Sequence, residues 1–144
     1  MDPVTTGTVV AALVGASAVA VAAHDRANRR KAEALLATRP SLNPGDFGQV
    51  YFPESERRAR LASQVREVLA EHLPYPLDGL APDDAFVENL RMDELDSMSI
   101  VEFIVALEDR LNIKIPDAVA GTIRTFRDLV DYLDQQAPES GVPR

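Results

Sequence analysis

Ser97 is the residue of this 144-residue chain best placed to carry a covalently bound group. It sits in Asp96-Ser97-Met98, directly ahead of an amphipathic run. Asp96, Ser97 and Ser99 have short polar side chains of the kind that cap free backbone N–H groups. Ser99 and Glu102 have the spacing of a capping box. Ile100, Val101, Ile104, Leu107 and Leu111 then recur at helical period. Asn112 is a reasonable stop, with Pro116 beyond it. The spacing therefore predicts Ser97 at a helix N-terminus, where unpaired N–H groups and the positive end of the helix dipole favour a negative group. A phosphate ester on the serine hydroxyl would lie in that field. The same residues also make an ordinary cap.

Other chemistries have little to work with. The chain has no cysteine, which excludes a disulfide framework and any cysteine-based metal or redox site. His24 and His72 are its only histidines, lie far apart and read as surface residues, so no metal site is expected. A serine nucleophile needs an adjacent base and oxyanion donors. No histidine lies near Ser97 in sequence, and Asp96 is a weak base. Glu94 and Asp96 form a carboxylate pair without any sign of a substrate cleft. The chain does not read as an enzyme. Its net charge of −8 argues against nucleic acid as a partner. From Asp83 to Asp117 acids far outnumber Arg91, Arg110 and Lys114. Such a run is ordinarily a solvated face. Because it flanks Ser97 it also reads as a docking surface for basic partners.

The elements that must position Ser97 are helical. A first helix starts near Ser55 and ends before Pro74, with Leu61, Val65, Val68 and Leu69 on one face and Arg57, Arg58, Arg60, Arg66, Glu67 and Glu71 filling much of the rest. Residues 74–92 form a long loop whose apolar members, Leu77, Leu80, Phe86 and Leu90, with Leu95 beyond, should pack across the helices. After the helix that follows Ser97, Ile113–Pro116 is extended. Asp117 caps a short turn ended by Gly121. Thr125 and Asp128 form a capping box for a last helix with Phe126, Leu129, Val130 and Leu133 inward. No strand pattern competes. The fold class is all-α, a small bundle of three main helices and one short helix.

Asp96-Ser97-Met98, Val101-Glu102, Leu107-Glu108 and Ile115-Pro116-Asp117 resemble the acyl carrier protein family, in which Asp-Ser-Leu or Asp-Ser-Met precedes an acidic helix and an Ile-Pro-Asp turn. The separation of Ser97 from Pro116 matches without a gap. Thr125-Phe126-Arg127-Asp128-Leu129 resembles the start of the family's last helix, and the likeness spans about Ser55 to Gln136. The resemblance implies the carrier topology and a 4′-phosphopantetheine arm on Ser97, with Asp96 preceding the modified serine and Met98 beside the arm. Glu94, Glu102 and Glu108 would face basic partners. Ile104, Val105 and Leu107 would face or border the core where family members shelter acyl chains, although plain core packing explains them as well. Implied partners are a phosphopantetheinyl transferase and acyl-transferring or acyl-activating enzymes. A monomer is expected, and the acyl group is not legible: fatty-acid, polyketide and aminoacyl carriers share these features. An unmodified adaptor of the same fold, binding through its acidic helix, is the alternative.

Two departures from the family stand out. Ser99 replaces a common acid two places after the serine. Phe86-Val87-Glu88-Asn89-Leu90 resembles the family's Phe-x-x-Asp-Leu but lies about three residues further upstream of the serine than in the common fatty-acid carriers. Aligning Glu94 with the serine instead would need a gap inside the next helix.

The N-terminal part is of another kind. Val4–Ala23 is uncharged and long enough to cross a bilayer as a helix, although it is rich in Ala, Gly, Ser and Thr. Arg26, Arg29, Arg30 and Lys31 follow, which predicts an uncleaved anchor with the rest of the chain in the cytoplasm. A cleavable signal peptide or a soluble Ala-rich helix are the competing readings. Residues 1–37 are thus expected to be a hydrophobic helix with a basic flank, 38–54 a linker broken by Pro40, Pro44, Gly45, Gly48 and Pro53, 55–136 the carrier-like domain and 137–144 a flexible tail. Phe47, Val50, Tyr51 and Phe52 leave room for part of the linker to fold back. The bundle should fold without residues 1–50.

Overall fold

The computed structural model describes residues 26–92 and 99–136. Val4–Ala23, Glu94, Leu95, Asp96, Ser97, Met98 and the tail from Ala137 lie outside them, so the expectations placed there have no structural counterpart. The described helices are α1 (residues 26–37), α2 (Pro44–Tyr51), α3 (Glu56–Ala70), α4 (Ser99–Leu111), α5 (Asp117–Ala120) and α6 (Phe126–Gln136). Among the described residues there is no strand, only one isolated antiparallel bridge between Ala85 and Thr125. The all-α expectation holds for this part of the chain, and α3 to α6 supply its three main helices and one short one.

The local signals explain most of these boundaries. The Ser55 side chain accepts from the Arg58 N–H at 3.2 Å and starts α3. Asn112 takes φ 53° after α4, and the Ile113 N–H closes back on the Glu108 carbonyl at 3.1 Å, a left-handed helix stop. Thr125 and Asp128 cap α6 reciprocally at 3.1 Å in each direction. Pro116, rather than Asp117, is the N-cap of α5, which makes no side-chain cap bond.

Part of the stretch read as a linker folds back on the bundle, as its apolar residues allowed, and it does so as a helix. Asn43 accepts from the Asp46 N–H at 2.8 Å, and Pro44 occupies the first turn of α2. That turn has no use for a proline N–H, so Pro44 starts a helix rather than breaking one. Phe47 and Phe52 are fully buried. Phe47 meets Phe126 edge-on at 5.2 Å, joining α2 to the start of α6. Gly48 is where α2 touches α3: a Cβ there would lie 2.1 Å from the Ala59 carbonyl oxygen. α1 buries Asn28, Ala32 and Leu36, and its end presses on the loop after α3, where a Cβ on Gly79 would lie 1.9 Å from the Leu36 carbonyl oxygen. Arg39 pairs with the buried Asp84 carboxylate and also donates to the Gly79 carbonyl at 3.3 Å. The hydrogen bond to Asp84 raises the Arg39 pKa, against the opposing effect of burial.

Arg66 also departs from expectation. It is buried in α3 rather than solvated, donating to the Leu42 and Asn43 carbonyls and lying 5.2 Å from the Phe47 ring centroid. Burial lowers its pKa, partly offset by Asp78. The carrier helices and residues 26–52 therefore share one core, a packing that bears directly on the expectation that the bundle folds without residues 1–50. Truncating Phe47 to alanine should cost about 3–5 kcal/mol, a large part of an ordinary domain's stability of about 5–15 kcal/mol. A chain beginning at residue 51 should accordingly lose most of its cooperative thermal transition by circular dichroism, whereas one beginning at residue 26 should keep it. Equal midpoints for the two would contradict this packing.

Candidate functional site

The described chain reaches the Asp96-Ser97-Met98 stretch from one side and leaves it on the other, and both approaches are anchored. On the near side Phe86, Leu90 and Met92 are buried. The turn between them is tightly bonded: the Asn89 side-chain oxygen accepts from the Ala85 N–H at 2.7 Å, and the Asn89 and Leu90 N–H groups return to the Ala85 carbonyl. The Asn89 amide oxygen thus closes this turn. Arg91 takes φ 58°, and the Met92 N–H then bonds to the Phe86 carbonyl at 3.0 Å. The Tyr75 hydroxyl donates to the Leu90 carbonyl, and burial pushes the phenol pKa well above its ordinary value. The longer spacing upstream of Ser97 thus begins from a closed turn with Met92 in the core.

On the far side α4 begins, in its described part, at Ser99, two residues past Ser97 in sequence. Phe103 and Leu107 are its buried centre, with Ile100, Ile104 and Leu111 partly buried around them. This shifts the inner face from the one read in sequence. Val101, expected in the apolar stripe, is 52% exposed, Val105, expected at the core border, is 55% exposed, and Phe103, outside that stripe, is buried. At 100° per residue Val101 and Val105 lie opposite Phe103. Exposed Glu102 and Asp109 flank them, giving α4 a mixed apolar and acidic outer face. Asp109 and Val105 lie outside the apolar stripe expected from sequence, whereas Val101 belongs to it. Their i, i+4 spacing was visible, but it competed with the stripe that includes Val101.

The predicted partner-facing acids separate. Glu102 is exposed in the first turn of α4, which suits contact with a partner. Glu108 is half-buried, and its carboxylate accepts from the Ile115 N–H at 2.8 Å. It holds the 113–116 segment against the end of α4. Glu94 lies outside the described residues, together with Asp96, Ser97 and Met98. His72 is partly buried, its Nδ1 2.9 Å from the Val68 carbonyl and its ring beside Phe103. Among the described residues no group of histidines and carboxylates could hold a metal ion.

A phosphodiester-linked cofactor needs a hydroxyl on an accessible segment, followed by an element that fixes the segment's position. The sequence supplies Ser97 between two anchors, buried Met92 before it and the Phe103–Leu107 face of α4 after it. The family model described as "Phosphopantetheine attachment site" matches residues 63–133, from within α3 through most of α6. An acyl carrier protein of Helicobacter hepaticus (strain ATCC 51449 / 3B1) is similar, 37% identical over 70 residues that cover 49% of this chain and 88% of the relative. The family-model match leaves out α1 and α2.

The two acids of α4 should answer differently to substitution. Glu108→Ala removes a charged acceptor from a backbone N–H and should lower stability by about 1–3 kcal/mol in urea denaturation. Glu102→Ala should stay within about 0.5 kcal/mol of the parent. A Glu108→Ala chain as stable as Glu102→Ala would remove the bracing role.

Proposed function

Because the chain belongs to the acyl carrier protein family and bears covalent 4′-phosphopantetheine, we propose that the arm is attached to Ser97 and carries acyl intermediates as thioesters. The observation that carries the choice of residue is the ordered set Asp96-Ser97-Met98, Val101-Glu102, Leu107-Glu108 and Ile115-Pro116, lying within the matched stretch 63–133. The chain is a carrier rather than an enzyme, so its own residues orient and present. The bound arm supplies the thiol that a cysteine-free chain lacks. Met92 and the 85–92 turn hold the approach to Ser97, while Phe103 and Leu107 seat α4. Val101, Val105, Glu102 and Asp109 offer an outer face on which basic enzymes, including a phosphopantetheinyl transferase, would dock. Asp96 and Glu94 add charge next to the attachment point.

Membrane tethering is the second part of the proposal. Its support is the uncharged Val4–Ala23 stretch followed by the Arg26–Lys31 cluster. Among the described residues no helix is long and apolar enough to cross a membrane, and Val4–Ala23 lies outside them. The carrier unit would face the cytoplasm. Full-length protein recovered in the soluble fraction after a carbonate wash would exclude a spanning helix.

The attachment site is tested by intact mass. Incubation with coenzyme A and a broad-specificity phosphopantetheinyl transferase should add one arm to the full-length chain. Ser97→Ala should abolish the gain and Ser99→Ala should keep it. A gain surviving in Ser97→Ala would move the site to another residue. No gain in the parent chain with several transferases would favour the unmodified adaptor.

A further inference from the structure

α1 is the basic part of an acidic chain. Between residues 25 and 39, Arg26, Arg29, Arg30, Lys31 and Arg39 stand against only Asp25 and Glu33, while the whole chain carries −8. The structure divides these cations. Arg39 points into the fold and pairs with Asp84. Arg29 pairs with Glu33 along the helix at 3.2 Å. Arg26, Arg30 and Lys31 are exposed. At 100° per residue they lie on the side of α1 facing away from buried Asn28, Ala32 and Leu36, with exposed Ala27, Ala34 and Ala37 between them. Among the described residues Arg30 and Lys31 join no ion pair. Small alanines leave Arg30 and Lys31 room to approach a flat surface.

We propose that this outer face of α1 binds the anionic head groups of a bilayer, and that the packing of α1 into the carrier core thereby fixes how the carrier unit faces the membrane. The inference deepens the membrane-tether reading and rests on it for the choice of a bilayer over other polyanions, because the chain enters α1 directly from the uncharged Val4–Ala23 stretch. A basic segment next to such a stretch meets the head-group region. The acidic face of α4 does not forbid the contact, since charges more than about 8 Å apart in solvent are largely screened at physiological salt. Rigidity is what the structure adds. Leu36 lies against Gly79, Arg39 is tied to Asp84 and Phe47 is buried against Phe126, so α1 is not a swinging tether. A lipid contact at α1 therefore orients the whole unit.

The test uses the full-length chain and two vesicle types, phosphatidylcholine alone and phosphatidylcholine with about one-third phosphatidylglycerol. Partition into the anionic vesicles should exceed partition into the neutral ones. The Arg30→Gln/Lys31→Gln variant should lose roughly fivefold for each cation on anionic vesicles, with no change on neutral vesicles and an unchanged circular dichroism spectrum. Orientation is read separately, because the absence of cysteine allows clean single-site labelling. A fluorophore on Ala34→Cys should be quenched by a head-group quencher in anionic vesicles, and one on Asp109→Cys should not. Equal binding to both lipids with no effect of the double variant would keep the tether and overturn the basic face. Equal quenching at the two positions would overturn the fixed orientation. Failure to bind either vesicle would overturn the tether reading and this one together. Tighter binding to heparin than to the anionic vesicles would overturn the choice of a bilayer.

Discussion

The burial of Phe47 is the constraint on which the rest of the structure depends. Its ring lies against Phe126 at the start of α6, against Phe52 at the end of α2 and beneath the Arg66 guanidinium of α3. Arg66 is buried with it and spends its donors on the Leu42 and Asn43 carbonyls, the last two residues before α2. A buried guanidinium without close counterion contact is costly unless its N–H groups are bonded. Its nearest carboxylate oxygen, on Asp78, is 3.7 Å away. The carbonyls of the preceding segment are therefore what make this arginine tolerable inside α3. Removing that segment would both open a cavity and strand a cation. In the same way, removing Arg39 would leave the buried Asp84 carboxylate without its cation, held by the Ala81 N–H at 2.9 Å.

This arrangement separates bracing from presentation. The N-terminal segment grips α3, the loop after it and the start of α6, whereas the outer face of α4 with Val101, Val105, Glu102 and Asp109 stays open. The stretch around Ser97 lies between Met92 and Ser99, both of which continue into packed structure. A carrier has to be handled in turn by several enzymes. Leaving α4 uncovered while enlarging the core elsewhere adds stability without occluding that face.

Much of the carrier part was legible in the sequence. The α6 capping box, its four inward residues, the helix start near Ser55 and the Asn112 stop all follow from local rules, and the structure places them where those rules do. Residues 38–54 carry conflicting local signals. Asn43-Pro44-Gly45-Asp46 has a cap residue, a proline suited to the first turn and an acid near the helix start, yet its Pro and Gly content suggested a linker. Phe47 and Phe52 signal the fold-back, because two phenylalanines in a solvated tether would be unusual, but they do not by themselves specify a helix. Arg66 was not legible as a buried residue, since its burial depends on carbonyls some two dozen residues away. On α4, Phe103 and Val101 exchanged roles because two helical stripes fit the pattern about equally well, and only the packing against α3 and the loop selects one. The same holds for Glu108, whose carboxylate is engaged by a backbone N–H that sequence could not place.

The central claim is that the N-terminal helices and the carrier helices are one cooperative unit. Native-state hydrogen exchange on the full-length chain tests it most directly, because it resolves opening segment by segment. The account predicts that the Phe47 and Gly48 amides of α2 share the protection of the α3 amides around Val65 and Arg66, and lose it together as denaturant is added. Exchange of α2 at rates near those of an open chain, while α3 and α6 remain protected, would contradict it.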